Sequence, residues 1–109
     1  MADAVVSQRV IDNGAVVVDL RGEIDIAVNE AVRDLLVDII TTRRPPCVIV
    51  NMRHLVFIDS TGLSALIAGY HAATSAGVGF EVREMAPLIE RQMRATGLYD
   101  LMAPQPGRD

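Results

Sequence analysis

Runs of apolar residues with strand-like and helix-like spacing alternate along this 109-residue chain, and that alternation constrains its fold more than any other feature. Two β-branched runs, 5–11 and 15–20, flank the pair Asn13-Gly14, which favours a tight turn and therefore predicts a β-hairpin. Further strands are predicted over 47–51 and 78–83, and helices over 26–42, from Ser60 to Gly77 and from Pro87 to Gly97. The order ββαβαβα predicts an α/β fold with a mixed sheet.

Local signals fix the predicted helix ends. Pro45-Pro46 ends the first helix, Gly77 and Gly97 end the second and third, and Pro87 suits a first helical turn. Apolar residues fall on one face at 28, 32, 35, 36 and 39 in the first helix, at 63, 66, 67, 70 and 73 in the second, and at 88, 89 and 93 in the third.

The remaining segments are predicted to be connections or tails. The stretch 21–25 is predicted to turn, and 52–59 is predicted to be a loop. The chain length predicts one domain over 1–102, with a disordered tail over 103–109.

Composition excludes several function classes. The formal net charge is −4 and the ten basic residues, all arginine, are scattered, which argues against nucleic-acid binding. Cys47 is the only cysteine; it opens an apolar run, so we expect it to be buried in a protein of a reducing compartment. The N-terminus lacks a secretion signal and the uncharged stretch 60–80 is too polar to enter a membrane, so we expect a cytoplasmic protein.

No catalytic constellation is visible. A nucleophile elbow needs glycines two residues before and after the serine, whereas Ser60 follows Ile58 at that distance and Ser64 precedes Leu66. Nothing in the sequence brings His54 or His71 to Ser60. Zinc-ligand spacing and a glycine-rich phosphate loop are also missing. We therefore expect no enzyme activity, no metal and no cofactor.

The mouth of the second helix is the most informative stretch. Asp59 or Ser60 is a natural N-cap, which would account for one polar residue there. A phosphoserine at Ser60 could also be accommodated, because free N–H groups and the helix dipole favour negative charge. Gly62 would allow another backbone to approach closely. An outer face of small, uncharged side chains predicts a docking surface formed by Ser64, Ala65, Ala68 and Ala72.

Three segments, 20–25 (LRGEID), 50–67 (VNMRHLVFIDSTGLSALI) and 90–102 (ERQMRATGLYDLM), resemble the STAS domain, and in particular the anti-sigma factor antagonists. The core D-S-[ST]-G-L, placed after a strand and a loop, carries the resemblance. It implies a sheet with helices packed mainly on one face. It also implies a phosphoserine at Ser60, with Asp25, Asp59, Thr61 and Gly62 as the neighbours of the switch site. Val28 stands where relatives often have a capping Thr or Ser, so Asp25 or Asn29 is expected to cap the first helix.

The function implied by the resemblance is that of an anti-sigma factor antagonist. Its unphosphorylated form would bind an anti-sigma factor with serine kinase activity and free the sigma factor, and phosphorylation at Ser60 would switch binding off. A PP2C-type phosphatase would reverse the modification. The alternative is a STAS scaffold or accessory subunit of a transport or stress-signalling complex, which would dock through the same surface without switching.

Overall fold

The computed structural model describes residues 6–104, which form one four-stranded sheet and four α-helices. The elements in chain order are β1 (Val6–Val10), β2 (Val16–Ile24), α1 (Asn29–Asp38), β3 (Cys47–Ile58), α2 (Ser60–Ala76), β4 (Gly79–Arg83), α3 (Pro87–Ala95) and α4 (Leu98–Met102). The strands lie side by side in the order β1-β2-β3-β4. β1 is antiparallel to β2, whereas β2, β3 and β4 are parallel, so the predicted mixed sheet is confirmed.

The first two strands form the predicted hairpin. Gly14 has a φ of 87°, a value that favours glycine, and its N–H donates to the Ile11 carbonyl at 2.8 Å. The Asn13 side-chain oxygen accepts a hydrogen bond from the Ala15 N–H at 2.9 Å. The predicted strand start at Val5 lies outside the described residues.

The helices cover one face of the sheet, as the resemblance implied. Every buried apolar helix residue among the described ones belongs to a single core cluster, which also contains Val16, Val18, Val48 and Val50 from the strands. A second, smaller cluster consists of Ala15, Val17 and Ile49, whose side chains alternate with the core residues and so lie on the opposite face. The core is therefore one-sided.

Two predicted connections are strand instead. The segment 21–25, predicted to turn, continues β2 as far as Ile24, and the segment 52–59, predicted to be a loop, continues β3 as far as Ile58. Gly22 has a φ of 74°, and the pairing register between the two strands shifts on either side of it. Such irregularities let polar and glycine residues remain in a strand, which is why the sequence looked like a turn. Because of this extra length, both β2 and β3 end at the candidate site.

The first helix is shorter than predicted and ends irregularly. α1 begins at Asn29 instead of residue 26, and a π-helical turn, Ile39–Arg43, completes it before Pro45-Pro46. The predicted inward residues are confirmed: Val32, Leu36 and Ile39 are buried, and Val28 and Leu35 pack against the core.

The C-terminal helical region begins at the predicted proline and is divided at the predicted glycine, but three details differ from the prediction. Pro87 begins α3, and Gly97, with a φ of 80°, separates it from the short α4, which the sequence pattern did not predict. Leu88 was expected to face inward, yet 55% of its surface is exposed. Ala103 was assigned to the disordered tail, but it is buried and its N–H donates to the Tyr99 carbonyl. Residues 105–109 of that tail lie outside the described residues.

Candidate functional site

The site lies where the parallel strands β2 and β3 end. Their last residues, Ile24 and Ile58, are paired in register, so Asp25 and Asp59 leave the sheet side by side. The Asp59 N–H donates to the Ile24 carbonyl at 3.1 Å, which ties the start of α2 to the end of β2. Carboxyl ends of parallel strands commonly carry functional groups, because loops there are held by a rigid sheet.

Asp59, not Ser60, is the N-cap of α2. One of its carboxylate oxygens, Oδ1, accepts hydrogen bonds from the Thr61 N–H at 2.9 Å, the Thr61 hydroxyl at 2.6 Å and the Gly62 N–H at 3.0 Å. The Thr61 hydroxyl and then the Gly62 N–H hold the pKa of the Asp59 carboxyl below its usual range. The cap therefore carries a negative charge at neutral pH and occupies the N–H groups that a phosphate would otherwise use.

Ser60 is the first residue of α2 and is exposed. Its carbonyl accepts a hydrogen bond from the Ser64 hydroxyl at 3.0 Å. Within residues 6–104 its own hydroxyl has no hydrogen-bond partner. The side chain is thus free to react or to contact another protein.

Gly62 is required by packing inside this chain. A Cβ atom at this position would lie 2.6 Å from the Ile58 side chain, 2.8 Å from the Ile24 side chain and 3.0 Å from the Ile24 carbonyl oxygen. The close approach that the sequence indicated therefore has an internal partner, the end of β2.

Asp25 shapes the connection before α1. Its carboxylate accepts a hydrogen bond from the Ala27 N–H at 3.0 Å, and its carbonyl accepts hydrogen bonds from the N–H groups of Val28 and Asn29. The N-cap of α1 is Val28, without any side-chain hydrogen bond. The expectation that Asp25 or Asn29 caps the helix is wrong. Asp25 instead closes the tight turn that leads into α1.

The predicted docking face on α2 is only partly exposed. Ser64 is exposed, Ala68 and Ala72 are half-buried, and Ala65 is buried, with 2% of its surface accessible. Ala65 and Ala72 lie on the same side of α2 as Gly69, where a Cβ atom would stand 3.0 Å from Leu36 of α1. The small side chains on this side are therefore explained by close packing of α1, and the prediction for Ala65 as a partner-binding residue is wrong.

The exposed stripe of α2 consists of Ser60, Ser64, His71, Thr74 and Ser75. The residues of α2 that were predicted to face inward are confirmed: Leu63, Leu66 and Ala73 are buried, and Ile67 and Tyr70 pack against the core. The buried face is wider than predicted, because it also includes Ala65 and Gly69 on the side toward α1.

Sequence reasoning missed the apolar side chains at the same end of the molecule. Ile26, in the turn after β2, is 77% exposed, and Val56 and Phe57, close to the end of β3, are 64% and 44% exposed. Each of the three lies within two residues of the end of β2 or β3. The resemblance core contained Val56 and Phe57, but only the fold shows that they face solvent.

A side chain of α3 also supports the end of β3. Gln92 of α3 donates a hydrogen bond of 2.9 Å to the Ile58 carbonyl, one residue before Asp59. No sequence signal pointed to this glutamine.

The two histidines lie away from Ser60. His71 follows it by eleven residues in the same helix, about 16 Å at 1.5 Å per residue. His54, predicted to be in a loop, lies within β3 four residues before its end, about 13 Å at strand spacing. Neither histidine is placed to act as a base for Ser60.

Residues 6–104 contain no group of three or more His, Cys, Asp or Glu side chains that could hold a metal ion. Cys47, expected to be buried, is partly exposed at the start of β3. None of the helices in the same range is long and apolar enough to cross a membrane.

Comparison with known proteins gives a consistent set of relatives. The model of the STAS domain family matches residues 6–108. An anti-sigma F factor antagonist of Paenibacillus polymyxa is 27% identical over 89 residues, which cover 82% of this chain and 76% of the relative. The crystal structure of an anti-sigma factor antagonist from Mycobacterium paratuberculosis is 27% identical, with a TM-score of 0.76 and coverage of 93% of this chain and 87% of the other.

More distant structures share the fold. The Bacillus antagonist SpoIIAA matches in its unphosphorylated form with a TM-score of 0.77 at 19% identity, covering 94% of this chain and 89% of the other. Its phosphorylated form matches with a TM-score of 0.73 at 20% identity, covering 94% and 92%. A sulfate transporter family protein from Wolinella succinogenes gives 0.75 at 20% identity, covering 87% and 76%. The fold alone therefore does not separate a regulator from a transport-associated domain.

Proposed function

Because the chain belongs to the STAS domain family, we propose that it acts as an anti-sigma factor antagonist whose binding is controlled at Ser60. The unphosphorylated protein binds an anti-sigma factor that is also a serine kinase, and the sigma factor is released. Phosphorylation of Ser60 by that partner ends binding, and a PP2C-type phosphatase restores it. The protein itself is a binding module and a phosphorylation substrate without catalysis of its own, and it works in the cytoplasm.

The exposed Ser60 hydroxyl at the first turn of α2, with no partner in the described chain, is the observation that carries this proposal. A kinase needs a hydroxyl that can reach its active site, and a switch needs that hydroxyl to lie within the binding surface. The exposure of Ser60 supports the first condition, and its position at the ends of β2 and β3 supports the second.

We define the Ser60 surface as Ile26, Val56, Phe57, Ser60 and Ser64. All five side chains are exposed, and three of them are large and apolar. Burial of such side chains supplies most of the affinity of a typical interface, while polar residues around them give specificity. The Ser60 surface replaces the small-residue face of α2, which α1 already covers in part.

A phosphate on Ser60 would act mainly through charge. It adds about 1.5 to 2 negative charges beside the ionised Asp59. For a partner carboxylate about 6 Å away and an effective dielectric of about 40, two extra charges cost roughly 3 kcal/mol. That energy corresponds to about a hundredfold loss of affinity.

The modification is compatible with the fold. Asp59 already accepts hydrogen bonds from the Thr61 and Gly62 N–H groups, so we expect the phosphate to remain in solvent, where water screens it in the free protein. SpoIIAA, which shares this fold, has been solved in a phosphorylated form as well as in an unphosphorylated one. The switch is therefore expected to change binding and leave the domain folded.

Affinity capture from the native cells tests the proposal. The Ser60→Ala protein and the wild type should retain one protein with a kinase-type ATPase domain, and the Ser60→Asp protein should retain much less of it. Equal capture by all three baits would support the constitutive scaffold instead, and the absence of any kinase-type partner would contradict the proposal.

A further inference from the structure

Given the proposed function, we propose that Asp59 determines which of two adjacent hydroxyls accepts phosphate, because it holds the Thr61 hydroxyl and leaves the Ser60 hydroxyl free. Ser60 and Thr61 are neighbours in the first turn of the same helix. A kinase that reaches one of these hydroxyls comes within a few ångströms of the other. The structure of the substrate therefore helps to determine which hydroxyl is phosphorylated. Asp59 is a specificity-determining residue in this sense.

Thr61 is committed to the cap. Its hydroxyl donates to Asp59 Oδ1 at 2.6 Å, and its N–H donates to the same oxygen at 2.9 Å. A short bond to an ionised acceptor is roughly twice as strong as a neutral hydrogen bond. The side chain is also half-buried. Its oxygen therefore cannot turn toward an incoming phosphoryl group unless the cap opens first.

Ser60 faces none of these restraints. It is exposed, and its hydroxyl has no hydrogen bond to any described residue. In the transfer, the Ser60 oxygen forms a bond to the γ-phosphorus of a nucleoside triphosphate held by the kinase. The bond from that phosphorus to the nucleoside diphosphate breaks, and the hydroxyl proton passes to a base of the kinase. Every group of this step other than the hydroxyl belongs to the partner.

A phosphate on Thr61 would also be costly to the substrate. It would break the hydrogen bond from the hydroxyl to Asp59 and place a dianion against the same carboxylate, at the base of α2. The Thr61 and Gly62 N–H groups would then lose or share their acceptor. Phosphate on Ser60 requires none of these changes.

The first test needs no kinase. Nuclear magnetic resonance titration of the Asp59 carboxyl is compared in the wild type, in Thr61→Val, which has nearly the same shape without the hydroxyl, and in Ser60→Ala. We expect the Asp59 pKa to rise in Thr61→Val and to stay unchanged in Ser60→Ala. An unchanged pKa in Thr61→Val, or an equal rise in Ser60→Ala, would overturn the inference.

The second test maps phosphate by mass spectrometry on variants expressed in the native cells. The double variant Ser60→Ala, Thr61→Ser offers a serine at position 61 with Asp59 intact, and we expect it to carry no phosphate there. Adding Asp59→Ala should release that serine and allow its phosphorylation. Phosphate at position 61 with Asp59 intact would contradict the inference. So would its absence from the triple variant while that protein remains folded by circular dichroism.

The outcomes separate this inference from the proposed function. If the wild type carries phosphate on neither hydroxyl in cells, the proposed switch fails, and the titration alone decides whether Asp59 holds the Thr61 hydroxyl. If the wild type is phosphorylated at Ser60, both tests apply.

Discussion

Gln92 of α3 donates a hydrogen bond of 2.9 Å to the main-chain carbonyl of Ile58, the last residue of β3. Because β4 pairs only with the first part of β3, as far as Asn51, no strand among residues 6–104 reaches Ile58 on that side. A side chain from a later helix thus supports the peptide that precedes Asp59 and Ser60, and α3 becomes part of the candidate site.

Gln92→Ala should therefore weaken both the fold and the presentation of Ser60. Loss of a hydrogen bond to a partly buried carbonyl lowers the free energy of unfolding by about 1 kcal/mol. Urea denaturation measures it, with Arg91→Ala, an exposed neighbour, as the control. Equal midpoints for the two variants would show that the Gln92 contact contributes nothing to stability.

Gly62→Ala tests whether the glycine serves the fold or the partner. The new methyl group would collide with the side chains of Ile24 and Ile58, and such overpacking costs about 1–3 kcal/mol. Thermal unfolding should show the loss, and Ser64→Ala, on the exposed side of α2, should show little change. Full stability of Gly62→Ala combined with weaker partner binding would instead make Gly62 a contact residue, as its motif suggested.

How far the sequence predicted the fold depends on how local each signal is. The hairpin at Asn13-Gly14 and the helix end at Gly77, where φ is 73°, were predicted correctly, because a glycine with positive φ is a local requirement. The extension of β3 to Ile58 was not, since it rests on pairing with residues more than thirty positions earlier in the chain.

In the candidate site, too, local features were predicted from the sequence and long-range contacts were not. Asp59 and Ser60 were recognised from their motif, whereas the cap was left open between them and is settled by the hydrogen bonds of Asp59. The inward face of α2 was predicted correctly, but Ala65 was wrongly placed on its outer side, because α1 packs there and small residues such as Ala65 give no sign of whether they face a helix or solvent. The contribution of Gln92 required the tertiary fold.

Acid should remove the contribution of the Asp59 cap. The folded-state pKa of this carboxyl is lowered, so its stabilising effect is present above its unfolded pKa of about 3.9 and is lost as pH falls through the folded value. The stability difference between the wild type and Asp59→Ala should be greatest near neutral pH and shrink below about pH 4. Denaturation at several pH values measures it, and a difference that is independent of pH would contradict an ionised cap.

Phe57→Ser tests whether the partner binds the Ser60 surface while leaving Ser60 itself unchanged. Phe57 is 44% exposed, so we expect a reduced affinity for the partner, with a stability loss of about 1 kcal/mol because the rest of the ring is covered. Leu101→Ser, an exposed apolar residue on α4, is the matched control and should bind as the wild type does. Equal losses in both variants would mean that the partner binds elsewhere or over the whole surface.

In the proposed switch, charge on Ser60 controls binding without disturbing the fold. Isothermal titration calorimetry of the purified anti-sigma partner with wild type, phosphorylated protein, Ser60→Ala and Ser60→Asp measures it most directly, alongside the four melting temperatures. We expect wild-type affinity for Ser60→Ala, a partial loss for Ser60→Asp and about a hundredfold loss for the phosphorylated protein, with similar melting temperatures throughout. Equal affinities across the four proteins would contradict it.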